Sequence, residues 1–235
     1  MLRKNHNFAI GTILNASNLL NEGNKRLVIS KKNHLKVISI FLKELQTFDL
    51  LNQATLELIF KSPGYAERLT DAIKLLHEAK ILSDASRAYC ASSPEYSIDV
   101  ARIFKLLAQN ELLSTENMML LSKHSSKSKQ LFRSLKEMEL LELLNQANFT
   151  VVVKHSGYAE RLTDAIKLLH EAKILSDASR AYCASSPVYS IDVARIFKLL
   201  AQNELLSTEN MMLLSKQSSK SKQLFRSLKE MELLE

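Results

Sequence analysis

The chain has 235 residues, 46% hydrophobic and 24% charged, which is enough apolar surface to bury a core. Four Gly, three Pro and no Trp argue against a β-sandwich or barrel, whose hairpins need turn residues, and leave an all-α protein as the expectation. The formal charge of +7 leaves room for acidic partners, although 25 acidic residues are interspersed with 32 basic ones. Two cysteines, Cys90 and Cys183, are too few for a disulfide scaffold and suit a reducing compartment. No apolar run is long enough for a membrane span, and the N-terminus lacks the apolar stretch and cleavage site of a secretory leader.

Residues 1–18 form a partial, capping unit, with Phe8, Ile13 and Leu14 as the apolar face of a helix. From Leu19 onward the chain repeats itself. Residues 64–142 and 157–235 are the same 79-residue string with two changes, Glu95 to Val188 and His124 to Gln217. Inside this 93-residue duplication lies a 31-residue period. It divides the rest into seven repeats: 19–49, 50–80, 81–111, 112–142, 143–173, 174–204 and 205–235.

Within each repeat, position 2 is Leu, from Leu20 to Leu206, and positions 20, 24 and 27 are apolar, as in Leu69, Ile73 and Leu76. Spacings of four and three mark a helix face and not the alternation of a strand. Position 3 is always Ser or Asn, the residue types that cap a helix N-terminus, so helix A is expected over positions 4–12. A break follows at positions 13–15, as in Ser62-Pro63-Gly64, and helix B is expected over positions 16–29. Helices this short are unstable alone and must shield one another by stacking. The predicted fold is a single right-handed α-solenoid of seven helix-turn-helix repeats over residues 19–235, akin in architecture to TPR, HEAT and armadillo arrays.

The unit LLNQANFTVVVKHSGYAERLTDAIKLLHEAKIL, Leu143 to Leu175, resembles the Leu/Ala-rich helical-hairpin repeats of proteins that vacuole-dwelling bacterial pathogens deliver through type IV secretion. The likeness covers residues 50–111 and 143–204. It is poorer in repeats 1, 4 and 7, whose turns read SKKNH, SKHSSKSK and SKQSSKSK. The resemblance implies a virulence effector or a relative of one, made in the bacterial cytosol and translocated to host cytosol, where it holds another macromolecule. It carries over no catalytic residue and implies no cofactor.

Position 25 is Lys in every repeat: Lys43, Lys74, Lys105, Lys136, Lys167, Lys198 and Lys229. In a stack these amines make a ladder along the helix B row, about one Debye length apart, suited to an acidic protein, phosphate or nucleic acid. The alternative is a solvated row paired along its own helices with Asp71, Glu78, Asp164 or Glu171. Lysines also crowd the turns of repeats 1, 4 and 7, among them Lys31, Lys32, Lys123, Lys127, Lys129, Lys216, Lys220 and Lys222. Ser125, Ser126, Ser128, Ser218, Ser219 and Ser221 beside them could accept phosphate, or these turns are simply polar loops.

Tyr65, Tyr96, Tyr158 and Tyr189 share position 16, either as half-exposed anchors for a partner or as caps on the inter-helix groove. His77 and His170 precede Glu but lack a second His four residues on, so no metal site is expected. Cys90 and Cys183 sit at core position 10 and read as small buried hydrophobes. With no phosphate loop and no nucleophile–base set, the expected function is non-enzymatic: a scaffold binding a protein partner, with nucleic acid as the alternative. Repeat 7 carries the sequence of an internal repeat, with Leu228, Met231 and Leu234 suited to being covered. This predicts either a longer protein, or an end that packs on another molecule or self-associates.

Overall fold

The computed structural model describes the backbone of residues 2–232 and the side chains of residues 6–231. It is all-helical, with fifteen α-helices and no strand among the described residues. The chain divides between Gln109 and Asn110 into an N-terminal and a C-terminal lobe.

In the N-terminal lobe α1 (Leu2–Ala16) packs on α3 (Leu35–Thr47), α3 on α5 (Ala66–Glu78) and α5 on α7 (Ser97–Gln109). Between them in the chain lie the shorter α2 (Glu22–Ser30), α4 (Gln53–Lys61) and α6 (Asp84–Ser92), of which α4 packs on α3 and α5, and α6 on α5 and α7. The C-terminal lobe repeats the plan. Its long helices are α9 (Ser128–Leu140), α11 (Ala159–Glu171), α13 (Ser190–Gln202) and α15 (Ser221–Glu232). Its short ones are α8 (Thr115–Ser122), α10 (Gln146–Lys154), α12 (Asp177–Ser185) and α14 (Thr208–Lys216). Within this lobe each helix packs on the next member of its own layer in chain order.

Each short helix begins at position 4 of its sequence repeat, and all but α8 end at position 12. Each starts at the predicted cap: Asn21, Asn52, Ser83, Ser114, Asn145, Ser176 and Ser207 accept the N–H of the residue three further on. From repeat 2 onward the break is a single 3₁₀ turn at positions 14–16, such as Pro63–Tyr65, so the long helix starts one residue later than the periodicity predicts.

The long helices end alike. Asn18, Asp49, Lys80, Glu111, Glu142, Lys173 and Glu204 all have φ of 55–58°, and they follow one another at 31 residues. After Asn18, Asp49, Lys80, Glu142, Lys173 and Glu204 the N–H of the next residue bonds back to the carbonyl five before it, as in Leu50 to Leu45 at 2.8 Å and Leu143 to Met138 at 2.8 Å, a Schellman ending without glycine. Asn18 gives α1 the same ending as the long helices after it.

Helix positions 20, 24 and 27 supply the core as expected: Ile38, Leu42 and Leu45, then Leu69, Ile73 and Leu76, are buried in the N-terminal lobe. One expectation is corrected here. Phe8 is 79% exposed, while Ile10 joins Ile13 and Leu14 in the core, because two residues along a helix turn Phe8 to the opposite side from Ile10. The invariant Leu at position 2 is at most half-buried, and Leu20 is exposed. Of the end residues, Leu228 is half-buried and Met231 exposed; Leu234 lies outside the described residues.

A second recurring feature is polar. Position 6 carries Asn24, Thr55, Ser86, Asn117, Asn148, Ser179 and Asn210, and each side chain donates to the carbonyl at position 1 of its repeat at 2.7–2.9 Å. It ties helix A to the turn before it and satisfies a carbonyl that would otherwise be buried unpaired.

Candidate cationic groove

The position 25 lysines stand on the long-helix layer of each lobe, but they are not one uniform row. Lys74 Nζ lies 2.7 Å from Glu44 and 4.5 Å from the Phe48 ring centroid, and Lys167 Nζ lies 2.6 Å from Glu137. Each ion pair crosses from one repeat to the preceding one, instead of running along its own helix to Asp71, Glu78, Asp164 or Glu171. The reason is register: Glu at position 26 of repeats 1 and 4 faces the lysine of the repeat stacked next. The glutamate hydrogen bond is the main cause holding each ammonium's pKa above its ordinary value. Burial, then the Glu137 charge, raises that of Asp164. Lys136 pairs with Glu139 on its own helix.

Lys198 and Lys229 differ. They line a groove of about 290 Å³ in the C-terminal lobe. Leu168 on α11, Arg195, Leu199 and Gln202 on α13, and Phe225 on α15 complete it. Three cations thus surround apolar surface with no carboxylate in the lining. Arg195 reaches Asp192 only at 3.3 Å, and neither Lys198 nor Lys229 has an ion pair with a described residue. Such a groove attracts an anionic group and offers an apolar floor to whatever carries it.

The tyrosines belong elsewhere. Tyr65 and Tyr158 are 40% and 42% exposed, whereas Tyr96 and Tyr189 are half-buried. Each closes a 3₁₀ turn, nine residues and so about 13 Å of helix rise from the lysine of its repeat. Lysines and tyrosines therefore do not converge on one site. The Glu95 charge raises the pKa of the Tyr96 hydroxyl.

One serine–histidine contact invites a catalytic reading and does not sustain it. Ser156 Oγ lies 3.0 Å from His124 Nδ1, but the same turn-to-turn link joins Ser186 and Ser218 at 2.6 Å, where no histidine exists. The contact is a strut between successive turns. Burial, with Lys154 and His124 nearby, lowers the pKa of His155. Of the serines read as phosphate acceptors, Ser128 and Ser221 are buried and Ser218 is engaged by Ser186. Lys123, Lys127, Lys129, Lys216, Lys220 and Lys222 are exposed at these turns.

Cys90 and Cys183 are buried, and burial pushes both thiols up to about 12, which makes them poor nucleophiles. No cluster of three or more potential metal ligands occurs among the described residues, and no helix among them is long and apolar enough to cross a membrane. Arg195, Phe225 and Gln202 escape a sequence reading because their repeat positions vary in type and only stacking brings them beside Lys198 and Lys229. Comparison with protein families, with curated proteins and with solved structures finds no match to the chain.

Proposed function

We propose that the chain is a non-enzymatic, right-handed α-solenoid of seven 31-residue repeats that holds an acidic segment of a protein partner on its long-helix face. The observation that carries this reading is the groove of Arg195, Lys198 and Lys229 over Leu168, Leu199 and Phe225, in which cations cluster without lining carboxylates. The left-handed residues at every thirty-first position support the repeat count. In this reading the protein is an effector that acts on host proteins in host cytosol, as the resemblance of residues 143–175 implies.

The test is capture from host lysate with the wild-type chain and with an Arg195→Glu/Lys198→Glu/Lys229→Glu variant. A partner set lost on charge reversal and retained from low to physiological salt supports a protein held by charge and apolar anchors. An unchanged set removes the groove from the mechanism. Retention that collapses steeply with salt indicates a phosphate backbone, and so nucleic acid.

A further inference from the structure

The turns between short and long helices line up along one edge of the C-terminal lobe and are tied to one another. Ser156 Oγ meets His124 Nδ1 at 3.0 Å, Arg161 Nη1 donates to the Val188 carbonyl at 2.9 Å, and Ser186 Oγ meets Ser218 Oγ at 2.6 Å. Each link joins one repeat to the next. The four turns of repeats 4–7 therefore form one continuous strip, with about 8–10 Å from turn to turn.

Charge is divided across this lobe. The strip, residues 123–130, 154–161, 185–192 and 216–223, carries eight Lys or Arg and two carboxylates, Glu160 and Asp192. On the opposite edge each long helix hands over to the next short one. Its residues, 110–116, 140–147, 171–178 and 202–209, carry seven carboxylates and one cation, Lys173. The seven lysines of the strip, among them Lys123, Lys127, Lys154, Lys216 and Lys220, are exposed, and none has an ion pair with a described residue.

Apolar surface lies between the two lysine-rich turns. Tyr158 in repeat 5 is 42% exposed and Val188 in repeat 6 is 40% exposed, flanked by the basic turns of repeats 4 and 7. Position 188 is also one of the two places where the duplicated strings differ, the earlier copy having Glu95 there. The change takes a carboxylate out of a basic strip and exposes an isopropyl group instead. The fold is indifferent to it, because the backbone carbonyl of either residue accepts the same arginine bond, Arg68 to Glu95 at 2.7 Å and Arg161 to Val188 at 2.9 Å.

We propose that this strip docks on an anionic lipid bilayer, with its lysines over the headgroups and Tyr158 and Val188 entering the interface. A membrane surface offers anionic headgroups and, a few ångströms deeper, an apolar layer, which is the pairing that exposed Tyr and Val between lysines would meet. A nucleic-acid backbone matches the lysines but gives an exposed valine nothing comparable. The seven carboxylates of the opposite edge then face away from the lipid, which sets the orientation of the lobe. The cationic groove lies on the long-helix face, and the proposal is independent of it.

Co-sedimentation of the full chain with vesicles of phosphatidylcholine holding about 30 mol% phosphatidylserine tests it. The chain should sediment with these vesicles and stay in solution with phosphatidylcholine alone. Lys127→Glu/Lys220→Glu and, separately, Val188→Glu should each weaken partitioning at least about tenfold. Lys198→Glu/Lys229→Glu in the groove should change it less than about threefold, since the groove stands more than a Debye length from the strip. The chain has no Trp, so Val188→Trp is a sole reporter of depth. Its emission should shift to the blue on the anionic vesicles, and that of Leu205→Trp on the opposite edge should not. Absence of binding, a loss on groove reversal equal to that on strip reversal, or an unshifted Val188→Trp emission overturns the proposal. Binding of duplex DNA that Lys127→Glu/Lys220→Glu abolishes, without vesicle binding, would assign the strip to nucleic acid and also overturn it.

Discussion

Asn148 is fully buried, donates to the Leu143 carbonyl at 2.7 Å and accepts from Arg180 Nε at 2.6 Å. Asn148→Leu strands both partners and should cost about 1–3 kcal/mol in urea unfolding. Thr163 is equally buried, but its hydroxyl has no partner, so Thr163→Val should leave stability unchanged or raise it. The thiols give a pH signature. Cys90 and Cys183 hold their protons to about 12 in the native state against an ordinary value of 9.0. Above pH 9 the unfolded chain ionises first and binds fewer protons, so stability present below pH 9 falls as pH rises toward 12. Cys90→Val/Cys183→Val should flatten that decline, and the wild-type thiols should react with a thiol reagent at pH 8 only after unfolding.

At the scale of elements, helix A was legible almost to the residue because its start is written in the Ser or Asn of position 3 and its stop in the turn residues after position 12. The polar residue at position 6 was not, because a search for apolar periodicity passes over a buried Asn or Thr. The cross-repeat pairs Lys74–Glu44 and Lys167–Glu137 were equally hidden, since their partners lie 30 residues apart and meet only through stacking. The lysines of the groove could be named from their period, but Arg195 and Phe225 could not. Helix endings carry a further prediction. Lys80 and Glu142 adopt φ of 58° and 56°, a region that costs a residue with a Cβ about 1–2 kcal/mol and glycine almost nothing. Lys80→Gly and Glu142→Gly should each raise unfolding stability by about 0.5–1 kcal/mol, net of glycine's greater freedom in the unfolded chain, as read from the urea midpoint.

At the scale of the whole molecule, the duplication separates sequence from environment. Met138 and Met231 occupy the same place in identical local strings, both on long helices with the same turn before them. One is fully buried and the other mostly exposed, so local propensity and residue type cancel when the two are compared. Met138→Ala removes side-chain contacts and leaves a cavity beneath α11, and should cost about 2–5 kcal/mol. Met231→Ala removes little, and in an exposed helical site alanine's own helix preference offsets what is lost, so the change should stay within about 0.5 kcal/mol. Urea unfolding of the two single variants, followed by helical circular dichroism, measures the difference directly. Equal losses at both sites would mean that Met231 is covered in solution.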